Sequence, residues 1–436
     1  MRRIFCCIMI AVLAAGCQPV PTLLEIGVQL LYDGKAFAEA GAVVTLVEDK
    51  GAFRFEAAPD ASGVAHFTVV PGSYSASVTY KMIEDGMPTT YNGSLQSIMI
   101  SEQPSEAYPM VLSKVDARQL VIKELYTGGC TRNGGTGAYY NDAYVIIYNN
   151  SAYEVDASNL VFGFLNPYNA QSSNKFYGKD KTLIYADEDW LPAAGAIWSF
   201  TSPVMVPAYS QIVVACFGAI DHTSTVDDSV DLSDPSYYWM SNSDVPQYFN
   251  AKYAASDAIP TSHYLTCFPI NQGNAWVLST TSPAFFIGNM SLEENDMLCH
   301  DTEHFDLTNG TTAVGWSAKF PKSRVSGAVE VYSAANISSS AFRFSKDINA
   351  GYVSLVNQKG YTVYRNVDKE ATEALPENAG KLVYGYTGGT EDVNGTTDPS
   401  GIDAEASIEA GAHIIYAQSN DSGKDFHQRK KASLKK

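Results

Sequence analysis

The chain is 436 residues long and 45% apolar, enough to bury more than one core, so two domains are expected. Its 47 acidic against 29 basic residues give a formal charge of -18, which leaves no basic footprint for phosphates and excludes nucleic acid as a partner. Aromatics make up 12% of the chain, with 27 tyrosines, and glycine and proline run throughout it, the composition of a turn-rich, exported β protein.

At the N-terminus, Arg2 and Arg3 precede the apolar run IFCCIMIAVLA, which is too short to span a bilayer as a helix. This predicts a signal peptide over residues 1–16. The following LAAGC resembles the lipobox of bacterial lipoproteins, with Ala14 where leucine is usual and Leu13 one place further back. The resemblance implies that Cys17 becomes the lipidated first residue, with residues 17–24 as a tether. More than one acyl chain suffices for stable anchoring. Gln18 is not the aspartate that signals inner-membrane retention, so the resemblance points to the outer membrane, on either its surface or its periplasmic face.

Cys6 and Cys7 leave with the signal peptide. Cys130, Cys216, Cys267 and Cys299 remain, an even set in an exported chain, and at least one disulfide is expected among their three possible pairings. Cys216 shares a face with Ile212 and Val214 in QIVVACF, which also fits a buried thiol.

Residues 25–116 read as short alternating strands: EIGVQLLYD, AVVTLVED, VAHFTVV and GSYSASVTY, separated by turn signals. The spacing predicts a small β-sandwich. The run GVAHFTVVPGSY, from Gly63 to Tyr74, resembles the signature of carboxypeptidase-regulatory-like modules, which implies a spacer or docking unit without chemistry.

Residues 117–436 continue as all-β at larger scale. LVIKELY, DAYVIIYNNS, LVFGF, AIWSF, QIVVACF, AVEVY, AGYVSLV, YTVYR, KLVYGY and HIIYAQ are strand candidates between long loops. The glycine-rich stretch between the first two lacks both the lysine and the helix of a phosphate-binding loop, and reads as a hairpin. Asp234-Pro235 and Val245-Pro246 place proline where a first helical turn starts, predicting two short helices in 232–257.

The series KELYTGG, YYNDAYVIIYNNS and LVFGF resembles the opening of lamin-tail-like β-sandwich domains. Together with the first module, VPAYSQIVVACFGAIDH, SGAVEVYSA and the ending DFHQRKKASLK, it is similar to an uncharacterised Bacteroidetes lipoprotein family. The resemblance implies an envelope lipoprotein, accessory to a TonB-dependent outer-membrane receptor.

Chemistry is sparse. GxSxG, HExxH and Walker motifs are absent, so no enzyme and no cofactor is expected. The His300 and His304 of LCHDTEH share a face only on a helix; the flanking residues suggest a loop and ordinary surface polarity, so no metal is expected. The tract DVNGTTDPSGIDAEASIE reads as a solvated loop and the basic KDFHQRKKASLKK as a frayed end. The candidate ligand-binding residues are Tyr237, Tyr238, Trp239, Tyr248 and Phe249, rings on which a sugar or a planar cofactor such as haem could stack. Packing of the two short helices competes for the same rings. The expected function is non-catalytic binding of a nutrient ligand or partner, and the alternative is a structural or adhesive protein binding glycans or envelope proteins.

Overall fold

The computed structural model describes residues 22–51, 53–84, 87–171, 175–178, 182–241, 254–270, 278–306, 316–385 and 398–436. It is all-β with a few short helices, and none of those among the described residues is long and apolar enough to cross a membrane. The chain divides into two units, the smaller made of residues 1–81 and 91–114 and the larger of residues 82–90 and 115–436.

In the smaller unit the strand Leu24–Tyr32 pairs antiparallel with Val64–Val69, setting Ile26 opposite Phe67, and parallel with Tyr108–Val111. Val44–Glu48 pairs with Gly72–Glu84 in a second sheet, with Leu46 opposite Ala76. Because side chains alternate between the faces of a strand, Tyr74, Ala76 and Val78 are buried while Ser77 and Thr79 are exposed. The signature residues are structural. Gly63 has φ of 81° and Ala65 and Phe67 are buried. The Tyr74 hydroxyl donates to the Val70 carbonyl at 2.9 Å, tying the strand to the turn before it.

The larger unit is a sandwich of two six-stranded sheets. The first sheet is ordered Tyr238–Trp239, Gln211–Ala215, Tyr144–Asn149, Leu120–Tyr126, Thr362–Arg365, Phe426–Arg429. The second is ordered Thr266–Pro269, Ala196–Ser199, Leu160–Phe164, Ala284–Asn289, Val325–Ser333, Val353–Leu355. Leu120, Ile122, Val145, Ile147 and Val363 of the first sheet meet Phe162, Trp198, Phe285, Ile287 and Val329 of the second in one core. The outer faces are covered as well. Leu191, Phe320 and Leu298 lie over Ile197 and Phe286 of the second sheet. Ile402, Ile414 and Tyr416 lie over Val121, Tyr148 and Tyr364 of the first. Sheets buried on both faces have strands that read as continuous apolar runs, and Leu120–Tyr126 and Tyr144–Asn149 are buried at every position.

The stretch DAYVIIYN, from Asp142 to Asn149, serves this packing. The buried Asp142 carboxylate accepts from the Ser229 hydroxyl at 2.6 Å and the Tyr126 hydroxyl at 3.1 Å. The Asn149 amide donates to the Tyr153, Val206 and Pro207 carbonyls at 2.7–2.9 Å. The glycine-rich stretch is a hairpin, with Cys130–Thr131 paired to Ala138–Tyr139. Gly129 is required there, because at its φ of 69° a Cβ would stand 2.3 Å from the Tyr139 carbonyl oxygen.

Several expectations are corrected. Among the described residues, 381–385 and 413–418 are not strands: Tyr384 and Tyr416 make isolated bridges, and Ile414 and Tyr416 serve as covering side chains. Asp234-Pro235 opens a turn into a short strand rather than a helix, and Val245-Pro246 lies outside the described residues. LCHDTEH begins inside a helix, Leu292–His300, which is started by a capping box in which the Ser291 hydroxyl accepts from the Glu294 amide. The basic C-terminus is not frayed. Phe426–Arg429 is a fully buried edge strand, and Lys435 pairs with Asp228 at 2.8 Å. In the acidic tract, Asp398 and Asp403 are buried, and Asp403 caps the helix Ala404–Glu409.

Candidate functional site

The second sheet ends in a parallel pair, Val325–Ser333 beside Val353–Leu355, with Tyr332 in register with Ser354. Residues two apart share a face of a strand, so Tyr352 falls on the Ser354 face, beside Tyr332. Their rings stack with centroids 4.1 Å apart and planes 13° from parallel. Phe342 leans on both, 5.7 Å from the Tyr332 ring and 6.0 Å from the Tyr352 ring. From another loop the Tyr177 hydroxyl donates to the Phe342 carbonyl at 2.5 Å. These rings line a cavity of 740 Å³ together with Leu183, Asp187 and Asp347. That volume lies within the range of small-molecule sites.

The wall is held from beneath by one ion pair. Arg343, between Phe342 and Phe344, points into the core with Glu330, and both are fully buried. Its guanidinium reaches Glu330 at 2.5 and 2.8 Å and the Ser282 carbonyl at 2.7 Å. The Arg343 amide donates to the other Glu330 oxygen at 3.0 Å, and the Tyr185 hydroxyl donates to the Arg343 carbonyl at 2.7 Å. A guanidinium bonded through several donors has little freedom left, so Phe342 is fixed before any ligand arrives. Burial, and after it the Glu330 charge, pushes the Tyr177 and Tyr332 hydroxyls well above their ordinary value. Both rings therefore stay neutral. The Tyr332 and Tyr352 hydroxyls have no hydrogen-bond partner among the described residues.

The aromatic segment expected from sequence sits elsewhere. Trp239 is a core residue, 2% exposed, with its indole N–H donating to the Phe217 carbonyl at 2.6 Å, and it offers no face to a ligand. This corrects the expectation for that ring. Tyr237 and Tyr238 are half-buried. The Tyr238 ring stacks on His263 at 4.3 Å and meets the edge of Phe200 at 4.9 Å, so its contacts are already made within the fold. Tyr248, Phe249 and Cys17 lie outside the described residues.

The cysteines are not paired with one another. Cys130, Cys216, Cys267 and Cys299 are buried and none forms a disulfide. Cys130 and Cys299 belong to separate apolar clusters. Burial, with the Asp142 charge after it, pushes the Cys130 thiol up to about 12. His300 lies 2.8 Å from Asp296 and His304 4.0 Å from Asp301, and no group of metal-ligating side chains converges among the described residues.

The groove was missed because its rings come from three segments. Tyr332 and Tyr352 sit in SGAVEVYSA and AGYVSLV, both read only as strands. The available signal was the triplet Phe342-Arg343-Phe344, a lone charge between aromatics in an otherwise polar loop.

No protein-family model matches the chain, and no curated protein matches it. Among solved structures the chain is similar to a DUF4876 family protein from Bacteroides thetaiotaomicron, with a TM-score of 0.55 and 19% sequence identity over 93% of this chain and 94% of that one. The likeness is one of fold, and it agrees with the resemblance to an uncharacterised Bacteroidetes-type protein.

Proposed function

We propose that the chain is a non-catalytic envelope lipoprotein, anchored in the outer membrane through Cys17, that holds a small nutrient ligand in the Tyr332–Tyr352 groove as an accessory to a TonB-dependent receptor. The observation that carries the binding half is the pre-built aromatic wall, in which Tyr332, Phe342 and Tyr352 line one cavity over the Arg343–Glu330 pair. Such a wall suits binding because its rings offer apolar area without the entropy cost of ordering a loop. The anchor rests on the LAAGC sequence, and the receptor on the resemblance to envelope lipoproteins.

Titration with the neutral apolar dye Nile red tests the groove. Wild-type protein raises the dye's emission. Tyr352→Ala, at a half-buried position, weakens binding by about 1–3 kcal/mol, the scale of a stacking ring. Tyr238→Ala leaves binding unchanged. Equal affinity in wild type and Tyr352→Ala, or no dye binding at all, contradicts the proposal and favours a structural or adhesive role.

A further inference from the structure

Two carboxylates, Asp187 and Asp347, and one ammonium group, Lys346, line the rim of the groove, one net negative charge. Asp187 and Asp347 line the groove and also a neighbouring cavity of 580 Å³, whose lining adds Glu188, Asp189 and Lys322. Across the two cavities carboxylates outnumber ammonium groups four to two. Of the two ammonium groups, Lys322 is already engaged, 2.8 Å from the Ala186 carbonyl and 3.7 Å from Asp347. Asp187, Glu188 and Asp189 form no ion pair among the described residues. Burial pushes the Asp347 carboxyl up, yet the Ser345 hydroxyl, its own backbone amide and the Lys322 ammonium hold it below the usual carboxylate range, so it stays charged.

An independent observation points into the same space. Tyr332 lines the cavity and is only 3% exposed, and its hydroxyl has no hydrogen-bond partner among the described residues. That hydroxyl keeps contact with solvent, so it is open to a polar group of a ligand in the cavity.

We infer that the groove selects organic cations: the apolar body of the ligand rests on Tyr332, Phe342 and Tyr352, and its ammonium end faces the Asp187 and Asp347 carboxylates. This rests on the reading of the groove as the ligand site. Tyrosine and phenylalanine faces attract cations through their ring quadrupoles, and the carboxylates add a Coulomb attraction of the same sign. The same rim repels anions, a device for specificity as much as for affinity. The chain's formal charge of -18 steers cations towards it as well.

Three probes of one shape test the inference by calorimetry: naphthylmethyl-trimethylammonium, naphthalenemethanol and naphthalenesulfonate. The cation should bind about tenfold or more tighter than the alcohol, and the sulfonate weakest. Added salt should weaken the cation alone. In Asp187→Asn/Asp347→Asn the cation should fall to the level of the alcohol while Nile red binding persists, showing the groove intact. Equal binding of cation and alcohol to the wild type, or preference for the sulfonate, overturns the inference. If that occurs while Nile red still binds and still depends on Tyr352, cation selectivity fails alone. If neither Nile red nor any of the three binds, the groove itself is not the ligand site and both readings fall.

Discussion

Tyr352 and Trp239 show two fates of an aromatic ring in a chain rich in them. Tyr352 stacks on Tyr332 and keeps part of its surface at a cavity, whereas Trp239 is spent on the core with its N–H satisfied. The cysteines follow the second pattern, and this has a chemical consequence. Only a thiolate is nucleophilic, and burial both blocks access and pushes the Cys130, Cys216 and Cys299 thiols up. In the native protein, iodoacetamide should therefore leave all four cysteines unmodified. After unfolding without reductant it should label all four. Rapid labelling of the native state would contradict the burial, and a mass that resists labelling after unfolding would reveal a disulfide.

The strand Val325–Ser333 links core and groove, with Glu330 in the interior and Tyr332 at the wall. Glu330→Gln leaves the Arg343 guanidinium buried without its counter-charge. Removing one partner of a buried pair costs about 3–5 kcal/mol, so chemical denaturation should show a loss of that order. An unchanged midpoint would mean the pair is not the anchor of the Phe342 wall. The smaller unit was legible because its strands alternate: in GSYSASVTY every second residue faces the core, and the pattern names the buried face directly. In the larger unit the signal weakens because both faces are covered. AFFIGN, the buried strand Ala284–Asn289 in the middle of the second sheet, passed unread as a short apolar run. HIIYAQ is also a short, largely apolar run, yet its Ile414 and Tyr416 cover Tyr148 and Tyr364. FHQR reads as polar and is nonetheless a buried strand, since Arg365 and Arg429 lie over the Phe426 and Tyr364 rings at 4.2 and 4.8 Å. The groove depends on parallel pairing between segments twenty residues apart, information that resides in tertiary contacts and not in local periodicity.

The N-terminal sequence bears on where the chain works and the groove on what it holds. Replacing Cys17 with Ala should move the protein from the membrane fraction to the soluble fraction and abolish an acyl mass on the mature N-terminus. Retention of the variant in the membrane would sink the anchor, leaving the groove unaffected. The proposed ligand site lies at the Tyr332–Tyr352 wall and not at the aromatic segment around Tyr238. Amide hydrogen exchange, with and without saturating Nile red, reads this location along the chain. Slowed exchange is expected at Tyr332, through residues 340–347 and at Tyr352, with none at residues 237–239. Protection confined to residues 237–239, or no change anywhere in the larger unit on dye binding, would contradict it.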